Sequence, residues 1–450
     1  MPAEPRQDLD ALAGRLLALP AASDLVAEGG RVVALRPDAA IVRGLPAHAR
    51  IGDVVRFGAL REQALGEVLH IEGGECIVAR MTGLSGLVVG EAAFHLGAIR
   101  PQADESWLGR VVDALGRPVD GRGPLASTRA RARAGQRHGA LDRGRVSEAF
   151  RTGVRVIDLF TPLCIGQRFG VFAGSGVGKS TLLAMLARAG AFDAVVVALV
   201  GERSREVREF VEDTLGADTM AKSLVVAATG DESAIMRRRA APLAMGFAEA
   251  LRDRGRRVLF LLDSVTRFAH ALRETGIAAG QPPVQRGYPA TVFAEMPMLL
   301  ERAGPGGAQG GSITAIVTVL VDGDDHNDPV ADTMRGILDG HLVLERAIAD
   351  AGRYPPVNAL SSISRLASRV WTPQQAELIT SLRALIARFE ETRDLRLLGG
   401  WQRGVDPELD KAVETVPQIY RALHQTPQHP RSADPFAELA ELLRHENRAG

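Results

Sequence analysis

The sequence predicts an α/β protein: a mostly parallel sheet covered by helices, preceded by a small N-terminal β-barrel and followed by a C-terminal helical domain. Three observations lead there. Between residues 150 and 366, apolar runs of strand length alternate with helical patterns, the rhythm of strands joined by crossover helices. Over 24–96 the apolar runs are short, β-rich and punctuated by glycine and proline, which suits a small barrel. Past Trp371 the strand signals stop and helical patterns take over.

Taken in order, residues 7–19 place Leu9, Leu12, Leu16 and Leu19 at helical spacing behind Asp8 as a cap, and Pro20 closes the element. Barrel strands are expected at Arg31–Leu35, Ala40–Val42, Val54–Phe57 and Cys76–Val78. The stretch 129–145 reads as a loop, basic through Arg129, Arg131, Arg133, Arg137, Arg143 and Arg145; such a run is more often a solvated linker than a binding patch. The α/β alternation runs Phe169–Phe172, Ser180–Arg188, Val195–Val200, Ser204–Leu215, Leu224–Ala227, Ala234–Arg252, Val258–Leu262 and Ile313–Val321. Arg237, Arg238 and Arg239 fall inside one of these helical patterns, where neighbouring acids are the expected partners. Helices follow over 373–394, 407–424 and 435–446, separated by Gly399 and Gly400 and by Pro427, Pro430 and Pro435. The domains expected are an N-terminal helical segment over 1–23, the barrel over 24–96, the α/β core over 97–370 and the helical domain over 371–450.

A chain of 450 residues is too long for one hydrophobic core. Lysine plus arginine total 54, as do aspartate plus glutamate, so no global charge draws the chain to nucleic acid or an anionic membrane. Cys76 and Cys164 stand in no Cys-x-x-Cys or Cys/His spacing, which argues against a zinc site or a disulfide framework. The start, Met1-Pro2-Ala3-Glu4-Pro5, has no basic region followed by an apolar stretch, so no secretory signal is read there. Ala194–Val200 and Val258–Leu262 are too short to cross a bilayer and suit buried parallel strands. The chain reads as soluble and cytoplasmic.

The chemistry starts at Ala173-Gly174-Ser175-Gly176-Val177-Gly178-Lys179-Ser180. This run fits a P-loop apart from alanine at its first position. Small glycines let successive backbone N–H groups turn inward around phosphate oxygens. Lys179 would reach the β- and γ-phosphates and the Ser180 hydroxyl would ligate Mg²⁺. An apolar strand precedes the loop and a leucine-rich helix follows it, as the motif requires. The nucleotide set is therefore Gly174, Ser175, Gly176, Val177, Gly178, Lys179, Ser180 and Thr181. Five apolar residues ending in Asp263 make a second phosphate-site strand, its carboxylate at the edge where it would order the magnesium shell. Glu202 ends the strand between the two motifs, where a carboxylate can polarise the attacking water. The bland alternative for Glu202 is a surface residue capping the next helix.

The combination of Gly174–Ser180, Val200-Gly201-Glu202-Arg203, Leu259–Ser264 and Pro355–Ser364 resembles the catalytic-subunit superfamily of rotary ATP synthases, the last string across all ten positions of its signature. Within it, Leu108–Pro118, Asp263–Phe268, Gly287-Tyr288-Pro289, Leu299–Gly304 and Gly311–Ala315 look like the flagellar and type III secretion export ATPases. The likeness covers 25–425 and fades in the first 20 residues and after Thr426. It implies a RecA-like P-loop core, ATP and Mg²⁺ as cofactors, and a homohexamer with its sites between subunits. Arg365 would be an arginine finger supplied in trans, worth about 10³–10⁵ in rate where such fingers are characterised; the alternative is a core ion pair. Tyr354 matches the position that stacks on adenine, or else packs at an interface. Implied partners are a regulatory stalk protein at the N-terminal segment, export-gate membrane proteins and substrate–chaperone complexes, with no nucleic acid. The place implied is cytoplasmic, peripheral to the inner membrane at the export apparatus.

Three readings share this core: an Mg-dependent export ATPase for flagellar or other type III substrates, the catalytic subunit of a proton- or sodium-driven rotary synthase, and a ring-shaped RNA translocase. RNA readers present aromatic platforms, and before Trp107 only Phe57 and Phe94 are aromatic. The charge balance also lacks a basic footprint. Against the synthase, Leu397–Asp406 resembles the export enzymes, although Trp401 is unusual there. A structural, non-catalytic subunit would usually lack the glutamate that Glu202 supplies. The segment Asp322–Asp328 is no calcium loop, because Asn327 and Thr333 stand where glycine and glutamate are needed. An ATP hydrolase serving flagellar export is the preferred reading.

Overall fold

The structure, a computed structural model, describes residues 28–58, 64–82, 86–99, 101, 105–125, 144–146, 148–307, 310–321 and 328–446. The helix expected over 7–19, nearly all of the basic stretch 129–145 and residues 322–327 lie outside them. The chain divides into two compact units, 1–99 and 100–450.

In the first unit, β1 (Gly29–Arg36), β2 (Ala39–Arg43), β3 (Val54–Phe57), β4 (Leu65–Glu72), β5 (Glu75–Thr82) and β6 (Ala92–Gly97) close a barrel in the order β1-β2-β5-β4-β3-β6. Inward-facing Val32, Val42, Val55, Phe57, Val68 and Val78 fill it. Strands β4 and β6 were not among the sequence expectations. The first five residues of β4 are all buried and the strand carries register shifts at Leu65/Gly66 and Val68/His70, so it lacks the alternation by which a half-buried strand is recognised.

The second unit is built on a nine-stranded sheet. Its strands are β7 (Val111–Val112), β8 (Arg168–Ala173), β9 (Ala194–Val200), β10 (Ser223–Ala228), β11 (Arg257–Asp263), β12 (Ser312–Leu320), β13 (Gly340–Leu344) and β14 (Ile363–Ser364), with Gly304–Pro305 beside β12. The order is β14-β13-β8-β12-β11-β9-β10-β7, parallel except for β14 and the Gly304–Pro305 pair. Every residue of β9 and β10 is buried, as expected where helices cover both faces of a parallel sheet. The helices that matter for the site are α1 (Arg155–Phe160), α2 (Lys179–Ala187), α3 (Ser204–Glu209), α4 (Ala234–Arg252), α5 (Val265–Ala278) and α6 (Pro329–Ile337). The single helix expected over Ser204–Leu215 is instead α3 followed by a wider π-type turn over Phe210–Leu215. Gly216 then stands at φ 70°, a value a right-handed helix does not hold. On α4, Arg237 does pair with an acid, Glu274 at 2.7 Å.

After β14 the chain is helical: α7 (Pro373–Glu391), α8 (Pro407–Leu423) and α9 (Pro435–Glu446). Thr372 and Gln375 form a reciprocal capping box at the start of α7, and Asp406 caps α8, each satisfying N–H groups that a helix leaves open. Ile379, Leu382, Ile386, Val416 and Ile419 join the apolar cluster that contains Leu182 and Leu261. Among the described residues, no helix is long and apolar enough to cross a membrane.

Candidate functional site

The carboxyl ends of β8, β9 and β11 bring the expected phosphate-site residues together. Register sets their height: Leu262 lies beside Val317 and Ala173 beside Leu320, so Asp263 comes level with Thr318 and the P-loop begins two residues further along. After Ala173 the chain turns through Gly176 at φ 76° and Gly178 at φ 98°, conformations that a side chain with Cβ resists. Gly178 then leads into α2 without a side-chain cap, leaving the first N–H groups of the helix open to an anion. Ser175, Ser180 and Thr181 are exposed, whereas Val177 is buried and anchors the loop to the core. Arg346 donates to the Ser175 carbonyl at 2.8 Å. No sequence pattern had singled out that residue.

Lys179 lies across the site. Its ammonium donates to Asp263 Oδ1 and stands 3.5 Å from Glu202 Oε1. Thr318, on the strand between β8 and β11, donates to the same Asp263 oxygen at 2.8 Å, a support the sequence did not reveal. Burial pushes Glu202 up to about 7; Lys179 opposes the shift, and Asp263 and Glu206 add to it. Glu202 does not cap α3: that helix has no side-chain cap, and the carboxylate turns inward. The Lys179 ammonium is raised, with burial opposing but Asp263 and Glu202 prevailing. A buried carboxylate of near-neutral pKa beside a lysine is the environment that proton and phosphoryl chemistry uses.

Tyr354 and Arg365 lie outside this cluster. Tyr354 is exposed and precedes Pro355 and Pro356, and Pro356 packs beside Gly178. Its carbonyl accepts from Gln425 N at 2.7 Å and its N–H donates to His424 Nδ1 at 3.4 Å. Arg365 follows β14, whose Ser364 pairs with Gly340 at the start of β13. That is the amino end of the sheet, opposite the P-loop. Its guanidinium is exposed and donates to the Arg335 carbonyl at 3.1 Å; among the described residues it makes no ion pair.

Comparison with known proteins gives the family. The model of the ATP synthase alpha/beta family nucleotide-binding domain matches residues 153–364, and that of the T3SS EscN ATPase C-terminal domain matches 371–443. A flagellum-specific ATP synthase of Agrobacterium fabrum is 55% identical over 420 residues, 93% of this chain and 89% of that protein. The chain belongs to the flagellar and type III secretion ATPase family. A type 3 secretion system ATPase of Xanthomonas euvesicatoria is 44% identical over 82% of this chain and 83% of its own. Among solved structures, the assembled ATPase EscN of the enteropathogenic E. coli type III secretion system has a TM-score of 0.84 at 37% identity, covering 92% of this chain and 99% of that one. EscN in complex with its central stalk EscO gives 0.80 at 36% identity over the same shares. The protein is an ATP hydrolase of the export family, with the barrel, nucleotide-binding core and helical C-terminal region of its relatives. The synthase-subunit and RNA-translocase readings give way to it.

Proposed function

We propose that the chain acts as a homohexamer in the cytoplasm, with Mg-ATP held at each subunit interface and its hydrolysis coupled to delivery of flagellar export substrates. The observation that carries this reading is the position of Arg365. From Ala173, at the level of the P-loop, β8 runs back five residues to Arg168 beside Asp339, about 16 Å at strand rise. An exposed guanidinium that far from its own phosphate site is suited to a neighbour's site and not to its own.

Within each site, the P-loop amides and Lys179 hold the phosphates once Lys179 swings from the carboxylates toward the incoming anion. Ser180 and Asp263 offer the hard oxygen donors that would suit a small divalent ion, and the Lys179 ammonium against Asp263 supports a place for positive charge there. Bound Mg²⁺ supplies neutralisation of charge on the β- and γ-phosphates. Glu202 aligns and deprotonates the water, and Tyr354 stacks on the base. Arg365 of the adjacent subunit stabilises charge on the transferring phosphoryl group. The helical C-terminal region passes the cycle to substrate–chaperone complexes and the export gate at the inner membrane, and the N-terminal segment meets a stalk protein; the solved complex of EscN with EscO supports a stalk partner.

The test is turnover per chain against protein concentration, with Glu202→Gln as the blank. A cooperative rise shows that the chain completes its own sites by assembly. A flat rate near the blank means that another subunit supplies the finger, which overturns the homomeric reading.

A further inference from the structure

The Arg365 reading leaves one question of geometry: what holds the finger where a neighbour's site can meet it. The guanidinium rests on the Arg335 carbonyl in the last turn of α6, where helix carbonyls lack internal partners. The backbone is fixed separately. Arg365 N donates to the Asp339 carbonyl at 2.9 Å, and the side chain of buried Gln167 donates to that same oxygen at 3.2 Å. Asp339 therefore connects two elements. Its carbonyl holds Arg365, while its carboxylate accepts from the backbone N–H of Arg168 at 2.9 Å and lies 3.4 Å from Arg168 Nε. The Asp339 N–H completes the link by donating to the Arg168 carbonyl at 2.8 Å. Arg168 is in turn paired with Glu301. Since Arg168 opens β8 and Ala173 closes it into the P-loop, one strand ties the site of a subunit to the finger that subunit offers to its neighbour.

We infer that Asp339 is a positioning residue for the trans arginine, holding Arg365 to the amino end of β8 through Arg168. The inference rests on the trans reading of Arg365. Asp339 touches no phosphate-site residue, and by strand rise it sits about 16 Å from its own P-loop. Its loss acts on the neighbouring subunit's turnover and spares nucleotide binding in its own.

The experiment uses mixed rings of the full chain. Asp339→Ala lowers kcat by at least tenfold, leaves the Kd of a fluorescent ATP analogue within about twofold, and melts as a folded protein. Asp339→Asn, whose amide oxygen can still accept from Arg168 N–H, retains an intermediate kcat. When Asp339→Ala is mixed before assembly with Glu202→Gln, which has a dead site and an intact finger, activity returns, because intact sites then meet intact fingers. Arg365→Ala mixed with Glu202→Gln is the reference. If Asp339→Ala does not fold, Asp339→Asn carries the same mixing test. Wild-type turnover of the Asp339 variants overturns the proposal, and so does a defect that Glu202→Gln fails to revive while it revives Arg365→Ala. If Arg365→Ala is not revived either, the trans finger itself is wrong and the positioning role falls with it.

Discussion

At Glu202, burial and neighbouring charge set one residue's chemistry. Its ordinary value is 4.5 and its place in the site raises it to about 7. For a group raised on folding, the stabilising contribution is complete below the unfolded value and is lost as pH climbs through the folded one. The fold is therefore favoured most with Glu202 protonated, whereas the reaction needs it ionised. Two outcomes follow. With Mg-ATP varied at each pH, kcat/KM falls on the acid side of neutrality and levels above it; a profile flat from pH 6 to 8 counts against Glu202 as the base. Glu202→Gln abolishes turnover, yet at pH 8 the nucleotide-free variant melts no lower than the wild type. A clearly lower melting point there means that the carboxylate is a structural partner of Lys179 first and a base second.

At the scale of elements, the junction between the helical C-terminal region and the nucleotide-binding core turns on Gln425. This side chain is buried. Its oxygen accepts from Arg155 N at 3.0 Å, and its amide donates to the Gly153 carbonyl at 2.8 Å and to that of Pro430 at 3.3 Å. Its backbone N–H holds Tyr354, and Arg155 reaches on to Glu438 of α9 at 2.7 Å. Gln425→Leu leaves buried polar groups without partners and costs about 1–3 kcal/mol in a denaturant melt. It also raises the KM for ATP more than it lowers kcat, because the side-chain bonds that fix residue 425 are lost while its backbone N–H, which holds the Tyr354 carbonyl, is left on a looser support; unchanged KM separates the adenine contact from this junction. Nothing in the sequence marked Gln425, since a side chain tying segments about 270 residues apart leaves no local pattern. The same holds for Thr318 and Asp339, which act through partners on other strands. By contrast, the P-loop, Asp263 and Glu202 were legible because each is local: a residue type at the carboxyl end of an apolar strand. Helices α1 and α6 and the short strands β7 and β14 escaped notice because they are brief, and tertiary pairing decides them; α5 carries Val265, Phe268, Ala269 and Leu272 at helical spacing, so its period was there to be read.

For the whole molecule, the division into two compact units, residues 1–99 and 100–450, the first with an apolar cluster of its own inside the barrel, makes a prediction about unfolding. A single cooperative transition is expected only where one core serves the chain. Here calorimetry of the nucleotide-free protein is expected to show two transitions, and each can be moved alone. A non-hydrolysable ATP analogue at a hundredfold its Kd adds about 2.7 kcal/mol to whatever unit binds it, and all the phosphate-site residues belong to residues 100–450. Val68→Ala removes buried methylene-sized groups from the barrel, at about 0.8 kcal/mol each, from a residue fully enclosed there. The analogue should therefore shift one transition and Val68→Ala the other. One transition that answers to both means that the units unfold together, so that the division near residue 99 is one of shape and not of energy. Nucleotide would then stabilise the barrel as well, and the barrel would belong to the machinery that senses ATP.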